Sequence, residues 1–146
     1  MKESRSAGLR SAFRESGLRC TPQRLEIYRL LREATDHPAA ESLHDALVGR
    51  MPTVSRDTVY RTLAVLEEAG LVRKIYTLDG RCRYEPDPRP HHHFICTKCN
   101  RIQDFVWHEF DRLTPPGPTR SLGNVHMQCA QLVGVCDVCA GKGVGK

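Results

Sequence analysis

The sequence predicts an α+β chain in two parts: a helical N-terminal part closed by a short hairpin, and a C-terminal part built on a small sheet. Three observations predict it. Apolar residues recur at helical spacing from about residue 4 to residue 70. Asp79-Gly80 then separates two short β-prone runs, the pattern of a tight hairpin. Beyond residue 80 lie six of the seven cysteines and five of the seven histidines, so the second part alone has the composition of a metal-binding domain. With 146 residues, 40% of them apolar, the chain can bury one modest core or two thin ones that need help from a metal or a partner.

The elements follow in order. Residues 4–16 form a short amphipathic helix, with Leu9 and Phe13 at i and i+4. Thr21-Pro22 is an N-cap followed by a proline at the first helical position, and that helix runs to about Ala34. Leu25, Tyr28 and Leu31 share its apolar face, with Ile27 and Leu30 flanking, and Asp36-His37-Pro38 ends the run. A third helix over about 39–49 carries Leu43, Ala46 and Leu47. Ser55 caps a fourth, in which Val59, Leu63 and Leu66 face a core and Gly70 supplies the left-handed terminating residue, with Leu71 packing back on Leu66. Its opposite face shows Arg56, Asp57, Tyr60 and Arg61. A two-residue turn at Asp79-Gly80 pairs Ile75 with Tyr84 and Tyr76 with Arg83, leaving one face of Tyr76, Leu78, Arg81 and Arg83.

Helices followed by a hairpin with a basic face make a winged helix-turn-helix over residues 1–84. Arg56, Tyr60 and Arg61 would face the major groove of double-stranded DNA, with Arg81 and Arg83 on the wing. Net charge is +5 and arginine outnumbers lysine seventeen to five, which suits phosphates and base edges. Four zinc-bound thiolates would bring the C-terminal half to about zero charge, so the positive potential belongs to the N-terminal half.

Residues 85–90, Glu85-Pro86-Asp87-Pro88-Arg89-Pro90, read as a stiff hinge, followed by a metal-binding domain over 91–140 and a loose tail over 141–146. Strands are expected at 91–96, 101–107 and 125–135, and prolines 115, 116 and 118 keep any helix between them short. Cys96-Thr97-Lys98-Cys99 and Cys136-Asp137-Val138-Cys139 each present two thiolates from one tight turn. Together they make a closed four-sulfur site for structural zinc. A redox pair would need a βαβ setting that neither motif has. In the strand, alternation puts His91 and His93 on one face and His92 on the other. If the first knuckle closes an antiparallel hairpin, Asp104 lies beside His93. Two imidazoles and a carboxylate then suit iron, manganese or zinc; a solvated basic patch is the other reading of the triple histidine.

As a set, several motifs resemble the ferric uptake regulator family of bacterial metal-dependent repressors, over about residues 10–140. They are Thr21-Pro22-Gln23-Arg24, His37-Pro38, Ser55-x-x-Thr58-Val59-Tyr60-Arg61, Gly70-Leu71-Val72, His91-x-His93-Phe94-x-Cys96-x-x-Cys99 and Cys136-x-x-Cys139. The resemblance implies an N-terminal winged helix and a C-terminal α/β dimerisation domain with its four-cysteine structural zinc. It also implies metal-gated binding of a homodimer to AT-rich inverted-repeat DNA. Within the family the pattern is most similar to the peroxide-responsive repressor (PerR) branch. That likeness implies a regulatory Fe(II) or Mn(II) held by His37, Glu85, His91, His93 and Asp104, with His37 and His91 open to oxidation, and control of peroxide-defence genes. The branch usually has aspartate where Glu85 stands, and Asp87 is an alternative ligand. An iron- or zinc-uptake regulator is the alternative function. Many relatives carry a further sensing site whose histidine is replaced here by Gln128. Asp111 matches its acidic ligand and His108 or His126 could stand in, but that site is expected to be absent or degraded.

Other classes recede. No apolar run reaches eighteen residues, so no transmembrane helix is predicted, and Met1-Lys2-Glu3-Ser4-Arg5 leads into no apolar leader, which favours a cytoplasmic protein. An enzyme is not expected, because neither the H-x-E and P-C-x-x-C pair of zinc deaminases nor the H-E-x-x-H of zinc hydrolases occurs. A zinc-ribbon interaction module without a DNA role is the remaining competitor.

Overall fold

The computed structural model describes residues 2–86 and 89–141, with side chains from Gly8 onward. Asp87 and residues 142–146 of the expected tail lie outside the described residues. The chain divides into two compact units, Met1–Pro88 and Arg89–Lys146. Among the described residues no helix is long and apolar enough to cross a membrane.

The first unit holds α1 (Lys2–Glu15), α2 (Pro22–Glu33), α3 (Ala40–Val48), α4 (Arg56–Glu68) and the antiparallel pair β1 (Arg73–Tyr76) and β2 (Cys82–Glu85). Local chemistry sets the helix ends. The Thr21 hydroxyl accepts from the Arg24 N–H at 3.3 Å, and the Ser55 hydroxyl accepts from the Thr58 N–H at 3.2 Å. Gly70, at φ +72°, ends α4; its N–H bonds the Glu67 carbonyl, and the Leu71 N–H reaches back to Leu66 at 2.9 Å. That is the two-bond ending predicted from the sequence. The core gathers Phe13, Ile27, Leu31, Leu47, Val59, Leu63 and Leu66. Each such side chain contributes roughly 1.5–3 kcal/mol by leaving water. Ile27 is fully buried and belongs to the core face of α2, not to its flank, while Leu25 only packs against the cluster.

The wing differs from the expected register by one residue. Tyr76 faces Cys82, Ile75 faces Arg83 and Arg73 faces Glu85. The turn is longer than two residues because side chains organise it. Thr77 hydroxyl bonds the Asp79 carboxylate, Asp79 Oδ1 accepts from the Arg81 N–H at 3.2 Å, and the Thr77 N–H closes on the Arg81 carbonyl at 3.0 Å. Arg83 consequently pairs with buried Ile75 and is half-buried, whereas Arg81 stays exposed.

The second unit is a three-stranded sheet in the order β4-β3-β5, with β3 (His92–Cys96), β4 (Ile102–Phe105) and β5 (Gln131–Gly134). β3 pairs antiparallel with β4 and parallel with β5. Between β4 and β5 lie only α5 (His108–Asp111) and a 3₁₀ turn (Gly117–Ser121), short as the prolines predict. The third strand is shorter than expected. A Cβ on Gly134 would meet the Phe94 ring at 3.1 Å, so glycine permits the close approach of β5 to β3. Ile95, Ile102, Cys96 and Cys136 are the buried apolar residues, a thin core. Leu132 and Val133 on the edge strand are 45% and 50% exposed, an apolar surface left uncovered in the isolated chain.

Candidate metal and nucleic-acid sites

The four thiols come from two knuckles. β3 ends at Cys96, and Asn100, at φ +56°, turns the chain back towards β4. The Asn100 N–H closes on the Cys96 carbonyl at 3.0 Å and the Ala140 N–H on the Cys136 carbonyl at 2.8 Å. All four sulfurs lie within 4.8 Å of one another. The Cys136 N–H donates to the Cys96 sulfur at 3.3 Å. That donor, with the amide of Cys99, lowers the Cys96 thiol to about 6, so it is a thiolate at neutral pH. Hydrogen bonds to the sulfurs of Cys136 and then Cys99 push Cys139 up to about 12. A sulfur cluster cradled by N–H donors fits a closed, tetrahedral structural zinc ion.

The histidine and carboxylate candidates fall into a group in each unit. In the first, His37 takes a left-handed φ of +49°, which turns its nearly buried ring so that Nε2 lies 3.3 Å from Glu85 Oε2. Glu85, 3% exposed on β2, sends Oε1 to the Arg73 guanidinium at 2.7 Å. In the second unit, His91 Nε2 and His93 Nε2 are 3.1 Å apart, with their rings edge-on. Asp104 faces His93 across the β3–β4 pair, as the hairpin reading requires, with Oδ1 3.8 Å from His91 and 3.6 Å from His93. His91 Nδ1 sits 2.7 Å from the Arg89 carbonyl, which can only accept. Nδ1 therefore carries the proton and Nε2 presents its lone pair, the tautomer a ligand needs. This nitrogen–oxygen set fits iron or manganese.

His92 points to the other face and is not a member of that group. It is 1% exposed, packed between the rings of Phe105 and Phe110 at 5.4 and 5.1 Å. Its Nδ1 accepts from the Ala130 N–H at 3.0 Å, and Nε2 lies 3.0 Å from Asp111 Oδ1. Gln128 Nε2 donates to the carbonyls of Phe110, Asp111 and Leu113 at 3.1, 3.4 and 2.8 Å. An amide nitrogen has no lone pair to offer, so Gln128 ties off the end of α5. His108 reaches only 4.0 Å from Asp111 and is 78% exposed. Strand alternation separated His92 from its neighbours, but nothing in the sequence marked it as a clamp.

On the first unit, Arg56, Tyr60 and Arg61 are exposed on the early turns of α4. The Arg61 Nε donates to the Asp57 carbonyl at 3.3 Å, steering the guanidinium along the helix. Beside them a cavity of about 600 Å³ is lined by Glu41, Tyr60, Arg81 and Arg83 among others. The Tyr60 hydroxyl donates to the Glu41 carboxylate, a contact between helices nineteen residues apart that carries no sequence signal.

Comparison with known proteins agrees with this arrangement. The chain is 31% identical over 133 residues to "Peroxide-responsive repressor PerR" of Staphylococcus epidermidis, covering 91% of this chain and 89% of that one. It is 33% identical over 130 residues to "Peroxide operon regulator" of Bacillus subtilis, covering 89% and 90%. Among solved structures, a "zinc-bound manganese uptake regulator" superposes with a TM-score of 0.67 at 33% identity, covering 88% of this chain and 98% of that one. The family model described as "Ferric uptake regulator family" matches residues 15–119. With a helical unit carrying an exposed basic helix, a four-thiol zinc site and histidine–carboxylate ligands suited to iron or manganese, the chain belongs to the ferric uptake regulator family of metal-responsive transcription regulators.

Proposed function

We propose that this protein is a cytoplasmic, homodimeric repressor that senses hydrogen peroxide through a single iron or manganese ion and controls peroxide-defence genes. The observation that carries the reading is the ligand group of the second unit: His91 and His93 converge their Nε2 atoms beside Asp104, with the His91 tautomer fixed by the Arg89 carbonyl. Three donors are too few for a six-coordinate ion. His37 and Glu85 supply two more, and five ligands drawn from both sides of a hinge at 85–90 couple metal loading to the placement of the DNA-binding domain, 1–84, on the metal-binding and dimerisation domain, 91–140. To shift that placement from 1% to 99% competent, the loaded form must be favoured ~10⁴-fold, about 5.5 kcal/mol.

Dimerisation through the second unit is supported by the uncovered apolar edge of β5. A twofold dimer sets two α4 helices roughly 34–36 Å apart on one face of AT-rich inverted-repeat DNA. Arg56, Tyr60 and Arg61 enter the major groove, and Arg81 and Arg83 hold the flanking backbone. Iron(II), held there, would activate the O–O bond of peroxide, so that one oxygen enters a ligand imidazole and the other leaves as water. His37 and His91 would be the rings that take that oxygen; a ring so altered is a poor ligand, so the hinge would be freed and DNA released. The similarity to two peroxide-responsive regulators supports this reading.

Glu85 favours a second reading. It is one methylene longer than the aspartate usual in the peroxide branch, and an iron- or zinc-uptake regulator without peroxide sensing accommodates it. The separating experiment compares Fe(II)- and Mn(II)-loaded protein on operator DNA as peroxide is added. Release from the iron form alone, with one oxygen atom gained on His37 or His91 by mass spectrometry, is expected; equal insensitivity of both forms selects the second reading.

A further inference from the structure

Tyr60 is the one aromatic side chain on the exposed basic face of α4, and it is 44% exposed. Its hydroxyl proton is already committed to the Glu41 carboxylate. Glu41 lies in the first turn of α3, where its own backbone N–H helps hold the charge. The Tyr60 hydroxyl, that N–H and the nearby Arg56 and Arg81 keep the carboxylate ionised, well below its usual range. The reciprocal effect raises the Tyr60 phenol. A fixed negative charge beside Arg56, Arg61 and Arg81, in addition to Asp57 on α4, opposes DNA binding by simple repulsion. Its presence calls for a compensating role.

A free tyrosine hydroxyl is both donor and acceptor, and its natural partner on DNA is a phosphate, which only accepts. With the proton held by Glu41, the Tyr60 oxygen offers lone pairs alone. It cannot bond a phosphate, nor the O6 of guanine or the O4 of thymine. It can accept from the exocyclic amine of adenine or cytosine in the major groove. We infer that Glu41 is a specificity-determining positioning residue, which by holding the Tyr60 hydroxyl turns Tyr60 from a phosphate contact into a reader of an amine-bearing base. The inference rests on the DNA-binding reading above. Glu41 acts through Tyr60, and both residues line the same cavity.

The test uses full-length, zinc- and Mn(II)-loaded protein and a pool of double-stranded DNA of randomised sequence. Bound sequences are read out for the unmodified protein, Glu41→Ala, Glu41→Gln, Tyr60→Phe and the Glu41→Ala/Tyr60→Phe double variant. The unmodified protein should prefer an amine-bearing base at one position of each half-site by roughly tenfold. Glu41→Ala should lose that preference to within about twofold while binding mismatched DNA more tightly and with a steeper salt dependence. Glu41→Gln, whose amide oxygen still accepts from the hydroxyl, should restore the preference although the charge is gone. Tyr60→Phe should lose the same preference without the tighter, more salt-dependent binding of Glu41→Ala, and the double variant should lose nothing further at that position. Retention of the preference in Glu41→Ala overturns the inference, as does its loss in Glu41→Gln, which would assign the effect to charge. No sequence preference in the unmodified protein sinks the DNA-binding reading itself, and this inference with it.

Discussion

At the scale of single residues, position in a strand decided the fate of three adjacent histidines. His91 and His93 share a face and converge on Asp104, while His92 turns inward and clamps Ala130 and Asp111. A buried imidazole whose Nδ1 holds a backbone N–H and whose Nε2 faces a carboxylate at 3.0 Å is costly to remove, because that N–H stays behind unpaired. His92→Ala is expected to destabilise the second unit by about 2–4 kcal/mol through the lost ring packing and hydrogen bonding. Trp107, the chain's single tryptophan, packs on Phe110 at 5.4 Å and reports the loss by fluorescence in a denaturant titration. Iron or manganese binding at the neighbouring proposed ligands should persist below the new midpoint. On the proposed DNA face, Arg61→Ala should weaken operator binding about tenfold or more and leave metal content unchanged, measured by gel shift and metal analysis.

At the scale of elements, the helices were legible because their ends are written in single residues. Thr21-Pro22, Ser55 and Gly70 each act within a few positions of themselves, so α2 and α4 begin and end where the sequence says. Gly70→Ala places a side chain at φ +72°, and the expected cost is about 1 kcal/mol, seen as a lower thermal midpoint with the residues proposed to contact DNA unchanged. The wing was legible as a hairpin but not in register. Asp79-Gly80 suggests a two-residue turn, yet Thr77 and Asp79 bond each other and the backbone around Arg81, and those side-chain bonds favour the longer turn. Register shifts by one residue under such a choice, and every side chain changes its neighbour. Arg83 moved opposite Ile75 for that reason.

At the scale of the whole molecule, the two units hold together by different means. The first has a contiguous helical core of large side chains; the second has little beyond Ile95, Ile102 and its cysteines. A core that thin needs a staple, and the four sulfurs supply the place for one. Cys136→Ser, or treatment with a strong chelator, is expected to release zinc and unfold the second unit, shifting Trp107 emission while most of the far-ultraviolet helix signal of the first unit remains. Metal uptake must displace protons from the thiols, so zinc affinity should fall as the pH is lowered, and more steeply below about 6, where Cys96 also holds a proton to be displaced. Competition with a colorimetric chelator over that range measures it.

What the sequence determined alone is whatever depends on near neighbours: the capped helices, the short helix enforced by prolines, the two knuckles and the alternation that sorts the histidines. Sulfur chemistry also singled out the zinc ligands, because two CxxC turns leave few alternatives. Only the tertiary structure decided which side chains from distant elements meet. It set Tyr60 on Glu41, His92 between Asp111 and Ala130, and Arg73 on Glu85, because such contacts depend on packing between elements, which no spacing along the chain encodes.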